Sequence, residues 1–204
     1  LHDHEAHFRC WGGDLMKKQG AELVKHYSEL AFMGFTEVLL NIRTILKNIE
    51  LCKEDILRYK PDVLILVDYP GFNLRIAEFA KKNNLKVFYY ISPQVWAWKQ
   101  SRVHKIKRVV DKMFVILPFE KEFYKKFSYN VDFVGHPLLD AVNNNSGSPI
   151  SSDFTDKNKW SEEPVIALLP GSRNQEIATM LPVMIEMKKY FPKYHFIIAG
   201  APSV

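Results

Sequence analysis

Leu85-Lys-Val-Phe-Tyr-Tyr-Ile-Ser-Pro-Gln-Val-Trp-Ala-Trp-Lys-Gln-Ser-Arg-Val-His-Lys-Ile-Lys-Arg108 is the stretch on which the reading of this chain turns. Val87 to Ile91 is a β-branched and aromatic run that reads as a buried strand. Ser92-Pro93 stops it, because proline lacks the N–H that a ladder needs and restricts the residue before it. Trp96 and Trp98 follow, and then cations at helical spacing. Open α/β sheets bind their ligands at the carboxyl ends of strands. Polar, aromatic and cationic side chains just past such an end supply what a sugar-phosphate site requires. Two core tryptophans beside a solvated basic helix would give the same pattern.

Outward from this stretch, strands and helices alternate, which predicts an α/β fold with a parallel sheet. On the N-terminal side, Ala6–Trp11 reads as a short strand closed by Gly12-Gly13, with Asp14 as a candidate cap for a helix through Gln19. Met33-Gly34 introduces a helix over Phe35–Ile49, which continues through Tyr59. Its residues Val38, Leu39, Ile42, Ile45, Leu46 and Ile49 make one apolar face, with Arg43 and Lys47 outside it. Such a face packs on a core in most proteins, but it also suits an interfacial helix whose cations meet lipid phosphates. Val63–Val67 is a continuous apolar strand of the kind found in sheets covered on both faces. Asp68-Tyr69-Pro70-Gly71-Phe72-Asn73 follows it. A carboxylate there can take a proton from an attacking hydroxyl, and it can equally be a turn or cap residue.

On the C-terminal side, Lys112–Ile116 and Val131–Val134 read as further strands, with a helix opened by Pro118-Phe119-Glu120 between them. Gly135-His136-Pro137 makes a turn. Asn143–Glu163 is rich in Asn, Ser, Asp and Lys, and reads as a linker or mobile surface. Apolar pattern returns at Val165–Leu169, before Pro170-Gly171-Ser172-Arg173 and a helix from Gln175-Glu176 that Pro182 kinks or divides. A strand, a Gly-Ser turn and a helix start present backbone N–H groups to an anion, and Arg173 adds a planar donor suited to a diphosphate. Lys193–Ala199 is the last strand. These boundaries predict a Rossmann-like domain over 1–142, a connecting segment over 143–163 and the start of a second domain over 164–204.

Composition sets the class. The 204 residues are 47% hydrophobic and 25% charged, ordinary globular material, with a net charge of +5 that permits an anionic partner. No apolar run approaches the ~20 residues needed to span a bilayer. Cys10 and Cys52 lack a paired spacing, so neither a zinc site nor a disulfide framework is suggested, in keeping with a reducing, cytoplasmic compartment. His2, His4 and His7 have no fourth ligand at a recognisable spacing and read as a solvated terminus. The absence of a Gly-x-Gly-x-x-Gly fingerprint counts against a dinucleotide enzyme. No nucleic-acid motif is present, and nothing in the chain sets an oligomeric state. The start at Leu1 and the end at Val204 read as cuts through a longer chain.

Ser92-Pro93-Gln94-Val95-Trp96-Ala97-Trp98-Lys99 with Arg102-Val103 and Lys105-Ile106 resembles the signature of the lipid-A-disaccharide synthases. The likeness extends through Leu117-Pro118-Phe119-Glu120-Lys121-Glu122-Phe123-Tyr124, Phe133-Val134-Gly135-His136-Pro137 and Leu168-Leu169-Pro170-Gly171-Ser172-Arg173 with Glu176. The resemblance implies a two-domain glycosyltransferase of the B type, here lacking its first strand and most of its C-terminal domain. It implies an inverting transfer of 2,3-diacylglucosamine from UDP-2,3-diacylglucosamine to 2,3-diacylglucosamine 1-phosphate in outer-membrane lipid A synthesis. Peripheral attachment to the cytoplasmic side of the inner membrane is implied too, which favours a lipid-facing role for Val38, Leu39, Ile42, Arg43, Ile45 and Leu46.

By the same resemblance Asp68 is the catalytic base. Gly171, Ser172, Arg173 and Glu176 lie at the diphosphate. Asn73, Ser92, Gln94, Trp96, Trp98, Lys99, Arg102 and His136 position substrate, and no metal or other cofactor is expected. Many members carry a second Asp where this chain has Gly71, so a two-carboxylate mechanism is not implied. Two alternatives stand beside this expectation. One is another UDP-sugar enzyme of the same fold, a 2-epimerase or a peptidoglycan glucosaminyltransferase. The other is a non-enzymatic basic module that binds lipid or nucleic acid.

Overall fold

A computed structural model describes residues 3, 5–29, 42–145 and 164–200. The chain divides into two compact units, Leu1–Pro137 and Leu138–Val204.

The first unit carries β1 (Arg9–Gly12), α1 (Asp14–Lys18), β2 (Glu22–His26), α2 (Ile42–Tyr59), β3 (Val63–Val67), α3 (Pro70–Lys82) and β4 (Lys86–Tyr90). It continues with α4 (Val95–Trp98), α5 (Arg102–Val109), β5 (Lys112–Val115), α6 (Phe119–Lys125) and β6 (Asp132–Phe133). Strands β3, β4, β5 and β6 form one sheet in that order, every neighbouring pair parallel. Strands β1 and β2 form a separate parallel pair. Asp14 is the first residue of α1 rather than its cap; the capping position is Gly13, and no side chain bonds there. Strand β2 is one element that the sequence pattern did not expose, since Glu22-Leu-Val-Lys-His26 has neither an apolar run nor a clean alternation.

Strand β4 organises the core. Val87 and Tyr89 have no exposed surface, and they pack with Ile76, Ala77 and Ala80 of α3, Val103 and Ile106 of α5, and Met113 and Val115 of β5. Each such burial contributes about 1.5–3 kcal/mol for a side chain of Val to Phe size. Strand β3 departs from expectation. Leu66 is buried, but Ile65 and Val67 are about half exposed, so only one face of this edge strand is covered.

The orientation of β1 matters for the site. Tyr59, at the end of α2, donates to the His7 carbonyl, and Arg9 grips Asp55 through Nε and Nη2. The Trp11 indole N–H also reaches Asp55, at 3.3 Å. Burial pushes the Asp55 carboxyl up, but these hydrogen bonds outweigh it and hold the group below its usual range. Two residues beyond Arg9, the Trp11 ring meets Phe72 in the first turn of α3, 6.2 Å between centroids. The chain before β1 thus lies beside the start of β3, and the end of β1 lies beside the end of β3. The carboxyl ends of β1, β2 and β3 share one edge.

The second unit, described by itself, holds nearly all of α7 (Pro137–Asn145), then β7 (Val165–Leu168), α8 (Asn174–Glu186) and β8 (His195–Ile198). Strands β7 and β8 pair in parallel, Val165 against His195 through Leu168 against Ile198. Pro182 sits inside α8 without dividing it, and α8 buries none of its side chains. Helix α7 reaches into the stretch that reads as a linker, and residues 146–163 lie outside the described ones.

Candidate functional site

Asp68 follows β3 directly and is exposed. Asp68 and Tyr69 both take left-handed backbone, with φ of 47° and 43°, a conformation that costs a non-glycine residue roughly 1–2 kcal/mol. Four hydrogen bonds over-determine it. The Asp68 N–H donates to the Tyr90 carbonyl at 2.9 Å. The Asp68 carbonyl accepts from Asn73 Nδ2 at 2.7 Å and from the Tyr89 hydroxyl at 2.5 Å, and Asn73 Nδ2 also reaches the Val67 carbonyl at 3.0 Å. Pro70 and Gly71 are in the first turn of α3, where proline is tolerated because its missing N–H has no partner to lose. Tyr89 is buried, which raises its phenol above the ordinary range, and the nearby Asp68 carboxylate raises it further. The chemistry is that of a solvent-facing carboxylate on a backbone fixed from behind.

The Ser92–Arg102 signature divides into an inner and an outer set. Ser92 is buried, and its hydroxyl pairs with the Tyr124 hydroxyl at 2.6 Å, so it ties the end of β4 to α6. Trp96 is half-buried, edge-on to Phe119 at 5.0 Å, with its indole N–H enclosed and without an acceptor among the described residues. Trp98 lies outside, 74% exposed, with the Arg102 guanidinium 5.6 Å from its ring centroid. Gln94 and Lys99 are exposed beside it. Gln94, Trp98 and Lys99 are therefore open to solvent and Arg102 partly so, whereas Ser92 is enclosed beneath the loop and Trp96 half enclosed in it. Ile91 at the head of that loop is itself left-handed, φ 64°, an unusual state for a β-branched residue.

Along α2, the expected apolar face splits. Ile49, Cys52 and Ile56 are buried in the core and Ile45 packs against it, while Ile42 and Leu46 remain about half exposed beside exposed Arg43 and Lys47. Val38 and Leu39 lie outside the described residues. Cys10 and Cys52 are free and buried, and burial pushes the Cys52 thiol up to about 12.

In the second unit, Gly171 adopts φ 111°, and a Cβ there would stand 2.6 Å from Glu176 Oε2. Only glycine meets both conditions. Arg173 holds the capping position of α8, and its Nη1 pairs with Glu176 Oε1 at 3.0 Å on an exposed surface. Ser172 is exposed in the same turn. His136 sits half-buried between Gly135, φ 86°, and the start of α7. Among the described residues no three His, Cys, Asp or Glu side chains gather as a metal site, and no helix is long and apolar enough to cross a membrane.

Two supports of Asp68 escaped the reading of the sequence. Tyr89 reads simply as a strand residue, and Asn73, expected to position substrate, has an amide that braces the turn. Nothing local in the sequence joins Tyr89 to Asp68, 21 residues away.

A model of the lipid-A-disaccharide synthetase family matches residues 1–203. Lipid-A-disaccharide synthase 1 of Legionella pneumophila (strain Lens) is 41% identical over 198 residues, 95% of this chain and 51% of that protein. The lipid-A-disaccharide synthase of Geobacter metallireducens is 44% identical over 200 residues, with the same coverage of 95% and 51%. The chain thus spans about half the length of the curated relatives it matches. Among solved structures, UDP-GlcNAc 2-epimerase from Neisseria meningitidis bound to UDP-GlcNAc is similar with a TM-score of 0.58 at 12% identity, covering 92% of this chain and 54% of that one. That likeness shows the fold: α/β with parallel sheets, of the glycosyltransferase B type.

Proposed function

The chain belongs to the lipid-A-disaccharide synthetase family, and from that premise we propose an inverting glycosyl transfer. Its donor is UDP-2,3-diacylglucosamine, its acceptor 2,3-diacylglucosamine 1-phosphate, and its products the β-1,6-linked disaccharide 1-phosphate and UDP. As the acceptor 6-hydroxyl oxygen bonds to the anomeric carbon, its proton passes to Asp68. The bond from that carbon to the UDP oxygen breaks on the opposite face, so the configuration inverts. Gly171, Ser172 and Arg173 stabilise the charge that develops on the departing diphosphate, the contribution that usually dominates such steps. Glu176 pairs with the Arg173 guanidinium in the free protein rather than touching the diphosphate, since its own charge would repel it. No metal is assigned a part.

The observation that carries this reading is the Asp68 turn. A general base must be exposed to its substrate and fixed in place, and Asp68 is exposed on a backbone held by Asn73, Tyr89 and Tyr90. Residues 1–142 form the acceptor side in this proposal, 143–163 connect, and 164–204 begin the nucleotide-sugar side, with His136 near the junction. Trp98, Lys99 and Arg102 meet the sugar phosphate. Ile42 and Leu46, with Arg43 and Lys47, face the inner-membrane surface from the cytoplasm.

The test is turnover by the full-length protein and its Asp68→Asn variant. We expect kcat to fall roughly 10²–10⁴-fold with donor KM little changed. Asparagine keeps the shape, so a folded variant with wild-type kcat would remove Asp68 from the chemistry.

A further inference from the structure

Another cluster stands on the edge shared by β1, β2 and β3. His26 ends β2, and its Nδ1 lies 2.7 Å from Ser28 Oγ and 3.3 Å from the Ser28 backbone nitrogen. A backbone N–H can only donate, so Nδ1 is the acceptor and the hydrogen of the neutral ring sits on Nε2. That Nε2 is 3.7 Å from Asp14 Oδ2, too far for a direct hydrogen bond. One hydroxyl between them could accept from Nε2 and donate to the carboxylate. Tyr27 lies beside the pair, its ring 4.5 Å from that of His26 and 58% exposed. Gly13 makes room for it, since a Cβ there would stand 2.6 Å from Tyr27 Cε1.

We propose that Asp14, His26 and Tyr27 form a subsite for a neutral hydroxyl of an amino sugar. The hydroxyl bridges His26 Nε2 and Asp14, and the C–H face of the pyranose lies against the Tyr27 ring. A phosphate oxygen is a poor occupant, because a dianion has no hydrogen to give Asp14 and would meet its charge. Ser28 is a positioning residue that sets the tautomer. The edge is the one that carries Asp68: Trp11 closes β1 against Phe72, and Phe72 stacks on Tyr69 at 5.9 Å. The assignment rests on the transfer reading in that the amino sugar is one of its reactants.

The experiment titrates the full chain with N-acetylglucosamine 1-phosphate while following the His26 ring nitrogens by NMR. We expect the Nε2 resonance to move on saturation. The affinity should weaken on the order of tenfold in His26→Phe and in Asp14→Ala, with Ser28→Ala less affected and melting temperatures nearly unchanged. A ring that stays still at saturation overturns the subsite, as does wild-type affinity in His26→Phe. A shift produced equally by inorganic phosphate also overturns it, because the site would then be an anion site. Turnover in the Asp68→Asn pair reports on the transfer separately. A moving His26 ring without turnover in the full-length protein would leave the subsite standing and the transfer reading lost.

Discussion

At the end of β3 the left-handed positions are Asp68 and Tyr69, neither of them glycine; at the end of β7 the left-handed position is Gly171. Both turns lead from a parallel strand into a 13-residue helix. The first holds an unfavourable backbone with hydrogen bonds from Asn73 and Tyr89 to the Asp68 carbonyl, so the residue is fixed at its backbone while its side chain stays exposed. The second avoids strain through glycine and carries an Arg173–Glu176 pair whose side chains are 66% and 43% exposed. A proton acceptor must be close to one oxygen at one moment, which rewards rigidity. A cation that follows a leaving diphosphate can change partners, and an exposed ion pair worth about 0.2–1 kcal/mol is easily exchanged. For the proposed transfer, the fixed turn suits a base and the open turn suits an anion.

The largest effect outside Asp68 belongs to the open turn. Arg173→Ala in the full-length protein should cost roughly 2–4 kcal/mol of transition-state stabilisation, the scale of losing one donor to a developing charge, with the melting temperature within a few degrees of wild type. Steady-state kinetics with UDP-2,3-diacylglucosamine reads it, and wild-type kcat/KM would sever this turn from the diphosphate.

On the fixed turn, Asn73→Ala removes both amide bonds to the Val67 and Asp68 carbonyls. Each contributes about 0.5–1.5 kcal/mol, so unfolding should become easier by about 1–3 kcal/mol, with kcat falling and donor KM unchanged. A change in acceptor KM with no loss of stability would mean instead that Asn73 touches substrate. Tyr89→Phe is the milder probe, since the Asp68 carbonyl keeps Asn73. A loss of about 1 kcal/mol in denaturant unfolding is expected. A larger fall in kcat than in stability would show that the hydroxyl aims the carboxylate as well as holding the backbone.

The two turns also differ in how readily the sequence reveals them. Pro170-Gly171-Ser172-Arg173 declares itself, because glycine beside a helix start is a local signal and its partner Glu176 is three residues on. Asp68 is visible as a carboxylate after an apolar strand, and the strands around it follow from β-branched runs. Its support is not visible, because Tyr89 lies 21 residues away and meets Asp68 only through parallel pairing of β3 with β4. For the same reason the pairing of Ser92 with Tyr124, 32 residues on, is not legible in the sequence. The exposed face of β3 was equally hidden, since an all-apolar run does not say which side is covered. Strand β2, with its mixed charges, gave no period to read, and His26 went unseen with it.

The smallest expected effect sharpens the comparison most. Glu176 pairs with Arg173 at spacing i, i+3 on the first turn of α8, and its carboxylate lies where a Cβ on residue 171 would stand. As a surface pair it should contribute only about 0.3–0.5 kcal/mol to folding, and as an acidic residue in a first turn it gains a further few tenths from the helix dipole. Glu176→Gln keeps the length and one carbonyl oxygen, so the amide can still accept from Arg173, without the charge. The melting temperature should therefore fall by no more than a few degrees. If the open turn works by exchange, freeing Arg173 from a competing carboxylate should leave donor KM equal or slightly lower, most clearly at low salt, where exposed pairs are strongest. If Glu176 must instead hold the guanidinium rigidly, kcat/KM should drop by an amount comparable to Arg173→Ala. That result would make the second turn as preorganised as the first and remove the contrast between them. Measuring both variants at low and physiological ionic strength separates the two outcomes.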